Sequence, residues 1–167
     1  MSDRVLVAGI GNIFLSDDGF GVEVANRLRS RELPENVRVE DFGIRGVHLA
    51  YELLEGYRAA LLVDAIDMRE APGTIAVIEP EPPAAVGDDE SPSPIDAHTM
   101  TPDLVLGTLA QLGGCLDRIL VVGCQPESLD EGIGLSESVA QKVDGAVELC
   151  CELIIELVLS QRKEVST

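Results

Sequence analysis

The sequence predicts an α/β fold: a single-domain three-layer sandwich in which a twisted, mostly parallel sheet of about five strands carries helices on both faces. Three observations lead there. Short apolar runs of strand length alternate with segments whose apolar residues recur at helical spacing, in the order βαβαβ; parallel strands joined by helical crossovers require that alternation. The first run, residues 5–10, is apolar throughout, as a strand covered on both faces must be. A chain of 167 residues suits one efficient core and is short for two. Residues 1–160 are therefore expected as one domain and 161–167 as a flexible tail.

Each element has its own warrant. Residues 5–10 run into Gly9-Ile10-Gly11 and open the sheet. After a loop over 12–19, Val22, Ala25 and Leu28 recur at helical spacing as far as Arg31, and Pro34 ends that helix. Residues 37–42 alternate like a strand, 47–54 suggest a helix and 59–64 a second buried strand. Pro72-Gly73-Thr74 makes a turn. The strand expected after it, 75–78, reads as antiparallel, because the connection is too short for a helical crossover. Residues 79–97 hold Pro80, Pro82, Pro83, Pro92 and Pro94 with the acidic group Asp88, Asp89 and Glu90; so long a loop is functional or disordered. A helix then starts with Thr101 as cap and Pro102 at its first position and runs to Leu112. Residues 118–123 form a further strand. From Val139 through Val143, Ala146, Val147, Cys150, Leu153, Ile154 and Leu157 one apolar face predicts a single closing helix.

Composition narrows the partners. Thirty acidic against twelve basic residues leave a net charge of −18, which repels nucleic-acid backbones and anionic membranes and favours a cation or a basic peptide, although solubility alone also explains such a charge. No run reaches the roughly 18 apolar residues of a membrane span. The N-terminus lacks the basic start and cleavage site of a signal peptide, so a cytoplasmic location is expected. Cys115, Cys124, Cys150 and Cys151 show no C-x-x-C spacing and read as small core residues.

In an open α/β sheet, ligands bind outside the carboxyl ends of the strands, and three places there carry polar groups. Asp17 and Asp18 stand between the first strand and the first helix, either as carboxylates for a site or as helix-capping groups. Asp64 ends the 59–64 strand at the same sheet edge, with Asp67 close behind, either in a site or in a turn. His98 lies ahead of the Thr101 cap. The other histidine, His48, falls within a helix beside Val47 and Leu49 and reads as structural. Two carboxylates and an imidazole meeting at one edge can bind a divalent metal, with zinc, copper, iron and nickel all suited to the imidazole, and leave a position open for hydrolysis. No G-x-S-x-G elbow is present and no cysteine has an evident base partner.

These residues carry a resemblance. Val7-Ala8-Gly9-Ile10-Gly11-Asn12 followed by Ser16-Asp17-Asp18-Gly19-Phe20-Gly21-Val22 is similar to the G-x-G-N and D-[DE]-x-x-G signature of the [NiFe]-hydrogenase maturation endopeptidases. The 41–46 turn, Val63-Asp64-Ala65, Pro72-Gly73-Thr74, the histidine before a helix and Gly134-Leu135-Ser136 also match, in order, over nearly the whole chain. The resemblance implies a protease that removes the C-terminal extension of a [NiFe]-hydrogenase large-subunit precursor after nickel insertion. It implies Asp18, Asp64 and His98 as both metal-binding and catalytic residues, with Asp17 a further candidate base. Nickel is then supplied by the precursor, and no organic cofactor is expected. After His98 the chain has Thr99-Met100-Thr101-Pro102 where the family often has a Leu-Gly-Leu-like helix start.

Other readings remain. A dinucleotide-binding enzyme would use Gly9-x-Gly11 after a strand, but Phe14 occupies the place of a small third residue and little chain is left for a catalytic domain. A non-catalytic nickel-binding chaperone could use the same three ligands. A hydrolase of small amides is a third option, without an evident nucleophile.

Overall fold

A computed structural model describes residues 3–80, 102–114 and 116–165. Its elements are β1 (Arg4–Ile10), a 3-10 turn (Ser16–Gly19), α1 (Phe20–Leu28), β2 (Val37–Gly43), α2 (Gly46–Leu53), β3 (Tyr57–Ala65), β4 (Ile75–Ile78), α3 (Pro102–Gln111), β5 (Arg118–Cys124), α4 (Glu137–Ala140) and α5 (Val143–Val165). The strands form one sheet in the order β2-β1-β3-β5-β4. Four of them run parallel, and β4 lies antiparallel to β5 at the edge, as the short link after β3 requires.

The sheet is buried on both faces, and the pleat divides its side chains. Val5 and Val7 of β1 with Ala59, Leu61 and Val63 of β3 join one core with Phe20, Val24 and Leu28 of α1 and the apolar face of α5. Leu6, Ala8 and Ile10 with Ala60 and Leu62 join the other, against Leu49 and Leu53 of α2 and Val105, Leu106 and Leu109 of α3. Alternate residues of an uninterrupted apolar run thus serve opposite helix layers. This is the α/β arrangement the sequence predicts.

The closing helix departs from expectation. It is two helices, α4 and α5, separated at 141–142. Val139 and Val143 stand four residues apart on either side of the break and are both buried in one core, so the apolar period runs straight through it and gives no sign of the interruption. Of the expected features, His98, the Thr101 cap, Cys115 and the loop beyond residue 80 lie outside the described residues. Cys124 and Cys150 are buried and Cys151 is half-buried.

The first turn of α1 lies directly on the sheet. A Cβ at Gly21 would overlap the carbonyl oxygens of Val63 and Ile10, and one at Gly9 would meet the Gly21 carbonyl. Two glycines facing one another let α1 sit close enough to hold the preceding turn over the ends of β1 and β3. Gly21→Ala should therefore displace α1 and destabilise the fold by about 1–3 kcal/mol, the usual cost of overpacking, read as a lower urea midpoint with an unchanged denaturant slope.

Candidate active site

The chain leaves β1 for β2 on one side and later returns to β3 on the other, so the connections diverge between β1 and β3 and open a crevice at their carboxyl ends. Asp18 enters it from the 3-10 turn after β1, and Asp64 from the end of β3, where it pairs in register with Gly123 of β5. Gly11, at φ +138°, has no room for a Cβ against the Asp18 carbonyl; that approach folds the turn back over the strand end. The Asn12 N–H then donates to Asp18 Oδ2 at 2.7 Å.

Asp64 is 3% exposed, and its Oδ1 has no hydrogen-bond partner among the described residues. Burial pushes its carboxyl well above the ordinary range, the neighbouring Asp18 charge pushes it further, and only the Ala65 N–H acts in the opposite sense. Burial also raises Asp18, against the Asn12 hydrogen bond. Two carboxylates sharing a poorly solvated crevice resist ionising together, and a proton or a cation between them relieves both.

Asp17, one residue away, has the opposite surroundings. It is fully buried, yet its Oδ2 accepts from the Glu127 N–H (2.8 Å), the Ser128 N–H (3.0 Å) and the Ser136 hydroxyl (2.8 Å), while Oδ1 accepts from the Ser136 N–H (2.7 Å). Burial raises its pKa, but the hydrogen bonds from Ser136, Ser128 and Glu127 outweigh that and lower it overall. With both oxygens engaged, Asp17 is poorly suited to act as a base. Asp67 sits outside the crevice, exposed, where Gln125 Nε2 and the Arg69 N–H hold it.

The structure brings Asp18 and Asp64, two of the three residues the resemblance implies, into one crevice, and sequence reasoning did not single out the neighbouring groups that follow. Gln125 is buried and its Oε1 accepts from the N–H groups of Met68 and Glu70, which shapes the loop after β3. Exposed Ile13, Phe14, Ile44 and Ile133 sit on the loops that follow β1, β2 and β5. Their apolar character at a strand-end loop was the available signal. His48 is exposed on α2. No group of three metal-binding side chains occurs among the described residues, and His98, the expected third member, is not one of them. A dinucleotide fits poorly: the Asn12 N–H after β1 is already held by Asp18, and two carboxylates would repel a diphosphate there.

A crevice of this kind recurs in many α/β folds, so family membership has to come from the sequence. The family model for hydrogenase maturation proteases matches residues 22–153. The chain belongs to the hydrogenase maturation protease family. The match begins after Asp18, so the Gly11 to Gly21 signature is a separate indication. A putative hydrogenase maturation protease of Methanocaldococcus jannaschii is 37% identical over 153 residues, covering 87% of this chain and 92% of that protein. The hydrogenase 2 maturation protease of Escherichia coli is 31% identical, with 87% of each chain covered. Among solved structures, the hydrogenase maturating endopeptidase HybD from E. coli superposes with a TM-score of 0.70 at 29% identity, over 92% of this chain and 93% of that one. This protease of the maturation family is accordingly a peptide-bond hydrolase.

Its buried carboxylate has a consequence for stability. Because the folded Asp64 carboxyl titrates above its unfolded value, the native state keeps a proton that the unfolded chain has lost. That contribution to stability declines as pH rises from the unfolded carboxyl range up to the folded pKa, and then levels off. Asp64→Asn should remove the penalty and raise the thermal midpoint of the metal-free protein at pH 7, with little change at pH 3. An equal or lower midpoint at pH 7 would contradict the strained pair.

Proposed function

We propose that the protein removes the C-terminal extension of a [NiFe]-hydrogenase large-subunit precursor once nickel has been inserted, and that it recognises the nickel held by that precursor. The observation that supports this most is Asp64 Oδ1, buried, without a partner among the described residues and next to Asp18. A site left in that condition gains most from a divalent ion, which both satisfies the orphan oxygen and removes the repulsion between the carboxylates.

In this reading Asp18 and Asp64 are ligands to the ion the substrate brings, and His98, carried over from the family resemblance, is the third. Imidazole and carboxylate together are compatible with nickel. A precursor without its ion would meet two mutually repelling carboxylates, whereas a loaded one meets an incomplete coordination sphere, so discrimination arises from both attraction and repulsion. The peptide bond is cut by water. Asp17 is engaged by its four hydrogen bonds, which leaves one of the ligands, Asp18, Asp64 or His98, to take the water proton.

The test is the intact mass of a cognate large-subunit precursor, with and without nickel, before and after incubation with the protease. Loss of a C-terminal peptide from the loaded precursor alone is the expected outcome. Equal cleavage of the nickel-free precursor would remove the nickel requirement, and stable binding with no change in mass would support a holding role in its place. Asp64→Asn and His98→Ala should each reduce cleavage to background while the proteins remain folded by circular dichroism.

A further inference from the structure

Asp17 and the Gly134-Leu135-Ser136 motif take no direct part in that reaction, yet they meet. The segment after β5 lies along the turn after β1 through backbone bonds: the Gly132 N–H donates to the Phe14 carbonyl (2.9 Å), the Ser16 N–H to the Gly132 carbonyl (2.9 Å) and the Asp17 N–H to the Ser128 carbonyl (3.1 Å). The Ser16 hydroxyl adds a bond to the Asp130 carbonyl at 2.6 Å. Ser16 itself sits at φ +53°, a backbone region that a serine occupies only when its surroundings enforce it. Within the single turn Ser16–Gly19, Asp17 is directed to residues 127–136 and Asp18 to the crevice.

We propose that Asp17 and Ser136 are positioning residues: their hydrogen-bonded clasp fixes the 3-10 turn so that Asp18 is aimed at Asp64. The argument is geometric. The Ser136 N–H and hydroxyl hold the two oxygens of Asp17 at 2.7 and 2.8 Å, and the next residue along a one-turn helix cannot swing without breaking that hold. Asp18, in contrast, has one protein donor among the described residues, the Asn12 N–H, and its aim is inherited from the backbone. The cleavage part of the inference rests on the function proposed above, but the aim of Asp18 can be read without substrate.

The experiment uses the full chain with Ser136→Ala, which removes the hydroxyl and keeps the N–H, and with Asp17→Asn. Two quantities are measured: hydrogen exchange at the Asn12 amide, which reports Asp18, and kcat and KM on the nickel-loaded precursor. If the clasp aims Asp18, Ser136→Ala should speed Asn12 exchange about 10-fold and lower kcat by a similar factor with KM nearly unchanged. Asp17→Asn should approach a loss of about 100-fold, the usual effect of an ångström-scale misplacement, and Ser136→Thr, which keeps a hydroxyl, should restore most of the activity. Faster exchange at Glu127 and Ser128 with Asn12 and kcat unaffected would overturn the proposal, because the clasp would then only secure residues 127–136. Failure of the wild-type chain to cleave would overturn the proposed reaction and the catalytic part of this inference, whereas an unaffected Asn12 would overturn the clasp itself.

Discussion

Two carboxylates held together in a poorly solvated crevice are the constraint on which the rest of this structure depends. Burial raises the cost of ionising Asp64, and the Asp18 charge raises it further. An arrangement of that kind relaxes unless the surrounding fold over-determines it. The over-determination begins in the sheet: Asp64 belongs to β3, held by β1 on one side and β5 on the other, and cannot retreat from the crevice without disrupting two parallel ladders. Asp18 is secured differently, by a turn folded tightly over Gly11 and tied to the segment after β5.

The two cores explain why the fold tolerates this cost. Leu6, Leu62 and Leu109 in one layer, and Phe20, Leu61 and Leu157 in the other, are fully or almost fully buried, and each such side chain contributes roughly 1.5–3 kcal/mol of burial free energy against its ordering entropy. The strain is confined to the carboxyl ends of the strands, where loops can be reshaped without disturbing the layers. The broader separation of scaffold and site is a general property of open α/β sheets.

How much was legible follows from the range of each interaction. β1 and β3 could be read because an uninterrupted apolar run is a local signal; Asp64 stood out as the polar residue that closes such a run, and Asp18 as a carboxylate in the loop between the first strand and the first helix, both at the sheet edge. The break between α4 and α5 was hidden by an intact apolar period through Val139 and Val143. From local residues alone Asp17 and Asp18 were equivalent, and only the family resemblance singled out Asp18. Their difference is made by Ser136, 119 residues further along, and by the backbone of Glu127 and Ser128, which no spacing rule connects to a loop near the N-terminus. Gln125 was missed for a related reason: its role is to accept from Met68 and Glu70, across the sheet edge.

The contrast between the adjacent aspartates also bears on how a maturation protease can avoid cutting the wrong chain. Both oxygens of Asp17 accept hydrogen bonds and its pKa is lowered, whereas Asp64 has an oxygen without a partner among the described residues and its pKa is raised. A fully satisfied acid gains little from a new ligand, because any new contact must displace one already made. An unsatisfied acid gains the whole interaction. Among the described residues the fold thus leaves unsatisfied capacity on Asp64 and removes it from Asp17, and under the function proposed above that contrast favours a cationic centre over an ordinary peptide. Selectivity of the proposed type needs no large contact surface: it would follow from an Asp64 oxygen without a partner among the described residues beside an Asp17 that receives four hydrogen bonds.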